Sequence, residues 1–383
     1  MNIAFFASSL ISAYWNGAAT YYRGILRALA HRGHRITFYE SDAFNRQQHR
    51  DIPDPPYARV IVYSANGTSA VERCLKEASR ADLIVKASGN GIFDDLLEAA
   101  VIALKKPRNI VAFWDVDAPA TLDRLHTSKT DPFRPLIPQY DVIFTYGGGQ
   151  SVINAYRALG AKQCVPIYNA LDPQTHHPVA PQPRFSADLS FLGNRLPDRE
   201  ARVGEFFLRA AALLPRRQFL LGGSGWENKP LPPNVSYVGH VYTADHNAFN
   251  CTPRAVLNVN RESMARYGFS PATRVFEAAG AGACLITDAF EGIETFYEPN
   301  EEILVAENGD GVASILQELE PHRAYQIGQA ALKRTLAEHT YAHRAELVDE
   351  MLNNVASCAT AVSAVTRRGN TIPADTAVAH ITQ

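Results

Sequence analysis

The sequence predicts an α/β protein made of two doubly wound, Rossmann-like domains. Short apolar runs alternate with helical patterns in both halves of the chain, which is the arrangement expected when helices cover both faces of a parallel sheet. The proline-rich residues 172–183 interrupt this alternation near the middle of the chain, as a linker would. The length of 383 residues also suits about two domains.

The first half contains six predicted strands separated by helical segments. A helix is clearest at residues 20–32, where Ile25, Leu26 and Leu29 share one face and Gly33 follows the last turn. The strands are the apolar runs at residues 3–6, 35–39, 60–63, 83–87, 109–114 and 142–145. We therefore expect the first domain to occupy residues 1–175.

The same alternation resumes after the linker. A helix is predicted at residues 198–213, and a helix at 341–357 is long enough to cross back to the first domain. The predicted strands lie at residues 188–192, 218–221, 235–238, 256–259, 284–287 and 303–305. We expect a second domain over residues 184–340. Residues 358–383 are small and polar without a sustained period, which predicts a disordered tail.

Composition argues against two classes of partner. The formal net charge of −2 is unlike the basic balance that nucleic-acid binding requires, so we expect no nucleic acid partner. No segment has the unbroken apolar length of a membrane span, so we expect no integral membrane segment. The apolar residues 1–13 lack the basic region that opens a signal peptide, and we interpret them as the start of a first strand and its loop.

Cysteine and histidine usage predicts neither a disulfide framework nor a metal site. The five cysteines are odd in number, widely spaced and contain no CxxC pair, which indicates reduced thiols and a cytoplasmic location. The adjacent His176 and His177 have no partners at ligand spacing, so we expect them on a surface loop.

Residues 261–288 predict an anion site followed by a buried strand. A helix that begins near Pro271, just after Ser270, offers free N–H groups and a positive dipole end. Arg274 adds a guanidinium in the first turn, and Glu277 follows on the same face with a carboxylate suited to ribose hydroxyls. An ordinary amphipathic helix with a solvated Glu277 is the alternative that these residues leave open.

Two carboxylates follow the predicted strand at residues 109–114. Asp115 and Asp117 should therefore lie at the carboxyl end of a strand, where doubly wound folds bind ligands. Such a carboxylate can accept the proton of an attacking hydroxyl or stabilise positive charge on a sugar carbon. Asp115 directly follows the strand, so we expect it rather than Asp117 to face the cleft. Both residues are also suited to capping the next turn, with Pro119 following.

Glycine and arginine residues mark three further loops. Gly193 and Arg195 follow the first strand of the second domain, where glycine permits close backbone approach and a guanidinium can meet a diphosphate. Gly223 lies in a glycine cluster that suits contact with a nucleobase or a flexible turn. Gly17 follows the first strand and could admit a phosphate or an acceptor. Arg199 is expected to be a solvated charge on a helix.

The segment RESMARYGFSPATRVFEAAGAGACLITD resembles the donor-binding region of GT-B glycosyltransferases, especially the spore-maturation CgeB-like branch. Members of that branch carry an Arg-x-Phe-Glu-Ala helix, small residues and an apolar strand ending in Thr-Asp. Here these are residues 274–278 and 287–288, and residues 115–119 match an Asp-x-Asp-x-Pro pattern of the same branch. Residues 169–173, NALDP, resemble the end of the first domain, with alanine for the usual glycine. The resemblance extends to about residue 355.

The resemblance implies a GT-B fold and a glycosyltransferase of the hexosyltransferase type. The donor would be a nucleotide-diphosphate sugar bound by the second domain, and an acceptor hydroxyl would be presented by the first. Glu277 would bind the ribose, Arg195 the leaving diphosphate, and Asp115 or Asp117 would be catalytic. Enzymes of this architecture generally need no bound metal, and no cofactor is implied. Phe269 stands where a second acidic residue is common in the wider group.

Other functions share this architecture. A nonhydrolysing nucleotide-sugar epimerase would use the same donor without a second substrate, and a non-catalytic sugar-binding or nucleotide-binding protein would keep the fold without turnover. A dinucleotide-dependent oxidoreductase is disfavoured, because no GxGxxG motif follows Phe6. The acceptor, the donor base and the oligomeric state are not specified by these residues.

Overall fold

The computed structural model describes residues 1–14 and 16–369, which form two α/β domains, each built on its own parallel sheet. The first sheet has seven strands in the order β3-β2-β1-β4-β5-β6-β7. Its strands are β1 Asn2–Phe6, β2 Arg35–Asp42, β3 Ala58–Ser64, β4 Leu83–Ala87, β5 Ile110–Asp115, β6 Val142–Thr145 and β7 Cys164–Pro166. The six strands predicted for this half are present. Strand β7 was missed, because it has three residues and ends in a proline, as edge strands tolerate.

Helices cover both faces of the first sheet. They are α1 Ala19–His31, α2 Ser69–Ala78, α3 Asp94–Ala103, α4 Ala118–Thr127 and α5 Gly149–Ala158. The central strands are apolar on both faces, so successive side chains of β1 and β5 enter two separate hydrophobic clusters. Phe5 and Trp114 lie in one cluster, and Phe6 and Phe113 lie in the other.

The second sheet repeats this plan with six parallel strands in the order β10-β9-β8-β11-β12-β13. Its strands are β8 Leu189–Leu192, β9 Phe219–Gly222, β10 Val235–Tyr237, β11 Ala255–Asn258, β12 Leu285–Asp288 and β13 Leu304–Ala306. Its helices are α6 Pro197–Val203, α7 Arg209–Leu213, α8 His246–Cys251, α9 Glu262–Tyr267, α10 Thr273–Gly280, α11 Gly309–Glu318 and α12 Pro321–Glu338. A π-helical turn, Gly204–Leu208, joins α6 to α7.

The strand order reverses at the same place in both domains. Strand β1 pairs with β2 and β4, and β8 pairs with β9 and β11. Chain crossovers therefore leave in opposite directions on either side of β1 and of β8, which opens a crevice at the carboxyl ends of these strands. The loops that carry the predicted site residues begin at these ends.

A backbone bridge joins the linker to the end of the second domain. The N–H of Leu171 donates to the carbonyl of His339 at 2.8 Å, and the N–H of Tyr341 donates back to Leu171 at 2.9 Å. Helix α13, Tyr341–Gly369, starts at this bridge and packs Val348 into the apolar cluster beside β1 and β5. The last helix therefore crosses back to the first domain, as predicted.

Helix α13 ends later than the sequence suggested. It continues to Gly369 rather than to residue 357. The rest of the predicted tail, residues 370–383, lies outside the described residues. Among the described helices, none is both long and apolar enough to cross a membrane.

Candidate functional site

Two arginine side chains converge on Gly193, the residue that follows β8. A Cβ atom at Gly193 would lie 3.1 Å from Nη1 of Arg199 and 3.3 Å from Nη2 of Arg274. Arg199 lies in the first turn of α6 and Arg274 in the first turn of α10. Both helices begin at the carboxyl edge of the second sheet, so they direct two positive charges to one point in the crevice. Gly193 is therefore a position where both arginine side chains approach the backbone closely, and its contact with a ligand stays a prediction.

Arg274 lacks an anionic partner. Its guanidinium stacks over the ring of Phe191 at 5.1 Å, and in the part of the chain that the structure describes it forms no ion pair. Burial and the neighbouring charge of Arg199 lower the pKa of Arg274 to about 9, against the opposing effect of Glu277. At neutral pH the group is still charged, so two like charges share a site that an anion would stabilise.

The start of α10 adds further donors to this site. The N-cap residue, Ala272, provides no side-chain cap, so the first amides of the helix have no side-chain acceptor. The hydroxyl of Ser270 is buried and has no hydrogen-bond partner. A phosphate group suits a combination of free amides, a hydroxyl and a guanidinium.

Glu277 lies one turn further along α10, beside a pair of histidines. Its side chain is 17% exposed, and Oε1 lies 3.9 Å from Nε2 of His176. The ring of His176 stacks 6.3 Å from that of His246, and burial lowers the pKa of His246 while Glu277 opposes that shift. Glu277 is therefore half-buried at the edge of the crevice, where its carboxylate can accept hydroxyl hydrogen bonds.

The expectation that His176 lies on a surface loop is wrong. Its residue is 3% exposed, because Asp172 folds the linker inward. The Asp172 carboxylate accepts the N–H of Gln174 at 3.0 Å, and its carbonyl accepts the N–H of His176 at 3.0 Å. An aspartate followed by proline was a signal for such a turn, although the turn's direction depends on the second domain.

Arg195, predicted to bind the diphosphate, is paired with a carboxylate of its own domain. Its Nε and Nη2 atoms both donate to Glu200 at 2.8 Å, and Lys229 binds the same carboxylate at 2.8 Å. These two cations lower the pKa of Glu200 to about 2. Arg199, expected to be a solvated charge, instead approaches Gly193. The sequence did contain a signal for this position of Arg199. Like Arg274, it follows shortly after a proline at the start of a helix.

The glycine loops after β8 and β9 pack on each other. Gly223 has φ +119°, and a Cβ there would lie 2.3 Å from the carbonyl oxygen of Gly193, so only glycine fits. The same carbonyl accepts the indole N–H of Trp226 at 2.8 Å, and that indole is buried. Gly223 thus allows the loops after β8 and β9 to pack together and does not present an open surface. Gly17, in contrast, is exposed, and a Cβ there would meet nothing within 4 Å.

Asp115 does not face the cleft, contrary to the sequence prediction. It is 0% exposed, and burial raises the pKa of its carboxyl although its hydrogen bonds oppose that shift. Oδ1 accepts from Ser88 at 2.8 Å, from the N–H of Asp117 at 3.0 Å and from Thr121 at 3.1 Å, while Oδ2 accepts from Tyr156 at 2.5 Å. Four donors occupy this buried carboxylate, so it positions the loop after β5.

Asp117 is the carboxylate that reaches the space between the domains. Its side chain is 32% exposed, and Oδ2 accepts from Nη1 of Arg261 in the second domain at 2.9 Å. Oδ1 is shielded from solvent and has no hydrogen-bond partner among the described residues. Asp117 does not cap α4, because its side chain forms no cap hydrogen bond to that helix. The turn before α4 is instead held by Asp115, which accepts the N–H of Asp117. Asp117 and Arg261 therefore lie on opposite walls of one crevice.

A buried network fixes the position of Arg261. Asp288, at the end of β12, is fully buried and accepts from Arg202 at 2.5 Å and from the N–H of Asn260 at 3.0 Å. Arg202 also donates to the carbonyl of Asn260 at 3.0 Å. Both backbone polar groups of Asn260, the residue before Arg261, are held, so the arginine leaves the second domain in a defined direction.

The loop between α9 and α10 joins the two domains. The N–H of Gly148 donates to the carbonyl of Phe269 at 2.8 Å, and Phe269 adopts φ 44°, which is strained for a residue with a side chain. Its ring fills space that a Cβ at Gly149 or Gly292 would occupy. Phe269 thus supplies a backbone contact where the resemblance suggested a carboxylate.

We predict that Asp115→Asn destabilises the fold. The amide offers one acceptor oxygen in place of two, which leaves at least one buried donor unpaired at a cost of about 1–3 kcal/mol. Asp117→Asn, at a partly exposed position, should stay within about 0.5 kcal/mol of the unaltered protein. Urea unfolding monitored by circular dichroism measures both. An unchanged midpoint for Asp115→Asn would contradict the structural role given to this carboxylate.

Comparisons with known proteins agree with this architecture. Residues 199–350 match a family model described as glycosyl transferase-like. No curated protein matches the chain. Among solved structures, sucrose-phosphate synthase from Thermosynechococcus elongatus is similar at 15% identity and a TM-score of 0.70, covering 94% of this chain and 100% of that one.

Two structures of sugar-nucleotide complexes are also similar. HepE from Anabaena, in complex with UDP-glucose, matches at 15% identity and a TM-score of 0.63, covering 92% of this chain and 100% of that one. An α-glucosyltransferase in complex with UDP-glucose and DNA containing an abasic site matches at 11% identity and a TM-score of 0.68, covering 92% and 99%. These likenesses, with the two parallel sheets, confirm the GT-B fold: two Rossmann-like domains facing a central cleft.

Proposed function

We propose that the protein is a glycosyltransferase that moves a sugar from a nucleoside-diphosphate sugar to an acceptor hydroxyl. The observation that carries this proposal is the convergence of Arg199 and Arg274 on Gly193, beside the uncapped start of α10. This positive site faces the crevice from the second domain, and Asp117 faces it from the first. An anionic leaving group and a proton acceptor are thereby provided on opposite walls.

The donor proposed is a UDP-hexose. Two of the similar structures contain UDP-glucose, which supports this choice of base and sugar without deciding it. In the proposed complex the diphosphate lies against Arg199, Arg274 and the first amides of α10. The ribose lies one turn further along, with its hydroxyls donating to Glu277. The match to the glycosyl transferase-like model covers Arg199, Arg274 and Glu277, while Gly193 lies before its first matched residue.

Transfer breaks the bond between the anomeric carbon and the β-phosphate oxygen and forms a bond from that carbon to the acceptor oxygen. The electron pair of the broken bond stays with the diphosphate, where the guanidinium groups and the helix dipole stabilise the added charge. The acceptor proton passes to the carboxylate of Asp117, whose side chain is partly exposed. Because Arg199 and Arg274 supply fixed positive charge at the leaving group, we propose that transfer needs no metal.

Several narrower points stay predictions. They are membership of the CgeB-like branch, the hexosyltransferase subtype, a cytoplasmic location and the exclusion of nucleic acid, since one similar structure was solved with DNA. A nonhydrolysing epimerase would invert a free nucleotide sugar, and a binding protein would leave it intact. Incubation of the protein with UDP-glucose and a panel of acceptors separates these functions, because only a transferase yields UDP together with a glycosylated product.

We predict that Arg274→Ala weakens binding of UDP much more than binding of uridine. Charge-assisted hydrogen bonds contribute about 1.5–3 kcal/mol, so the affinity for UDP should fall roughly tenfold to a hundredfold. Arg195→Ala is the matched control, because its guanidinium is held by Glu200, and it should change UDP affinity less than about threefold. Calorimetric titration measures both ligands. Equal losses for UDP and uridine in Arg274→Ala would show that the residue acts through the fold.

We predict that Asp117→Asn lowers the transfer rate while UDP affinity is kept. Loss of a general base typically reduces a rate by about a hundredfold to ten-thousandfold. Asp123→Asn is the matched control, since Asp123 also binds the second domain, through Arg266 at 2.5 Å and Tyr267 at 3.1 Å, but lies on the exposed side of α4. Product formation with a saturating donor measures the effect. Near-normal turnover in Asp117→Asn would remove this carboxylate from the mechanism.

A further inference from the structure

A second group of unsatisfied polar side chains lies in the first domain, away from the donor site. We name it the first-domain cluster and define it by Tyr22, Ser41, Arg46 and Asn90. None of these residues is more than 6% exposed. The Tyr22 and Ser41 hydroxyls, Nε of Arg46 and both amide atoms of Asn90 have no hydrogen-bond partner. Buried polar groups without partners destabilise a free protein, so their concentration here indicates a ligand that satisfies them.

The loops that carry this cluster are strained. Phe44 and Asn45, after β2, have φ values of 56° and 58°, and Phe93, after β4, has φ 58°. The two loops touch, because a Cβ at Gly91 would lie 2.9 Å from the ring of Phe44. Three of the five non-glycine residues with positive φ in the described chain are therefore in this one place. Strain of this kind persists where the surrounding structure enforces it, and it concentrates at binding sites.

One edge of the Arg46 guanidinium is unpaired, which we call its open edge, although its Nε atom is shielded from solvent. Nη1 donates to the carbonyl of Ser8 at 3.1 Å, and the group stacks over Phe44 at 5.0 Å. The edge formed by Nε and Nη2 has no partner among the described residues. Glu40 does not occupy this edge, since its carboxylate accepts from Ser9, the N–H of Leu10 and Gln47. A planar carboxylate fits such an edge with two parallel hydrogen bonds.

The cluster is connected to the reacting carboxylate through neighbouring strand ends. Ser88, two residues before Asn90, donates to Asp115, and Asp115 accepts the N–H of Asp117. Strand β5 is the direct neighbour of β4, and β2 is three strands away. With strands about 4.8 Å apart, the loop that carries Asn90 leaves the sheet roughly one spacing from the end of β5, and the loop that carries Arg46 leaves it roughly 15 Å from that end. One sugar-sized acceptor, with its attached group, spans that distance.

We propose that the acceptor carries a carboxylate bound by the open edge of Arg46, and that Asn90 hydrogen-bonds a polar group between this carboxylate and the hydroxyl presented to Asp117. The acceptor class is therefore an acidic, hydroxylated molecule such as a uronic acid saccharide. This inference rests on the proposed transfer function, because only a transferase has an acceptor. The binding site itself can be tested by measuring ligand binding in the absence of sugar transfer.

The first test compares two probes that differ only in the charged group, glucuronate and glucose, by ligand-observed NMR titration in the presence of UDP. Glucuronate should bind at least about tenfold more tightly, as expected for hydrogen bonds to a charged group. Arg46→Gln should abolish this preference. Arg35→Gln, at the exposed opposite end of β2, is the matched control and should keep it. Equal binding of the two probes, or a preference that survives Arg46→Gln, would overturn the proposal.

Glucose 6-phosphate tests the chemistry of the anion. If it displaces glucuronate and binds more tightly than glucuronate does, the carboxylate assignment is wrong and a phosphorylated acceptor replaces it. Weaker binding of glucose 6-phosphate than of glucuronate supports the planar fit to the Nε and Nη2 edge.

The Asn90→Leu variant keeps the proposal testable if the Arg46 variant does not fold. Because the Asn90 side chain has no hydrogen bond to lose, the leucine variant should melt at the same or a higher temperature. It should nevertheless bind glucuronate about tenfold more weakly and bind UDP normally. A lower melting temperature with unchanged glucuronate binding would make Asn90 a structural residue and overturn its role. Failure of these tests with intact UDP binding would leave the donor proposal standing.

Discussion

The charge of Arg274 is the constraint on which the donor half of the molecule depends. Its guanidinium is held by Phe191 and the start of α10, next to the guanidinium of Arg199, and the described residues give it no ion pair. Gly193 has no side chain, so both groups can approach the backbone at the end of β8. Gly223 must also lack a Cβ for the neighbouring loop to pack there. The local sequence thus maintains positive charge that an anionic ligand stabilises.

The two aspartates after β5 have different roles because Asp115 is buried and Asp117 is partly exposed. Asp115 accepts four hydrogen bonds and orients the loop, and Asp117 stands at the loop's exposed side with one oxygen unpartnered. The position of Asp117 depends on both domains, because Arg261 meets it from across the cleft. The contact between the two domains is further stabilised by the Gly148–Phe269 hydrogen bond and by the backbone bridge at Leu171.

The elements of the fold were predictable because they depend on local patterns. Apolar runs gave twelve of the strands, and the position of α10 with Arg274 and Glu277 follows from Ser270, Pro271 and the spacing after them. The choice between Asp115 and Asp117 was not predictable, since it depends on Tyr156, a donor 41 positions away on α5. The pairing of Arg195 with Glu200 was likewise not predictable. The approach of Arg199 to the donor site depends on where α6 begins. Nearby residues of the same type therefore have different roles, because the tertiary structure gives them different partners.

A crystal structure of the protein with UDP tests the central claim most directly. The account predicts that the diphosphate oxygens lie within hydrogen-bond distance of both Arg199 and Arg274, near the first amides of α10, and that the ribose hydroxyls donate to Glu277. A diphosphate bound by Arg195, or placed out of reach of Arg274, would contradict the claim that these two guanidinium groups form the donor site.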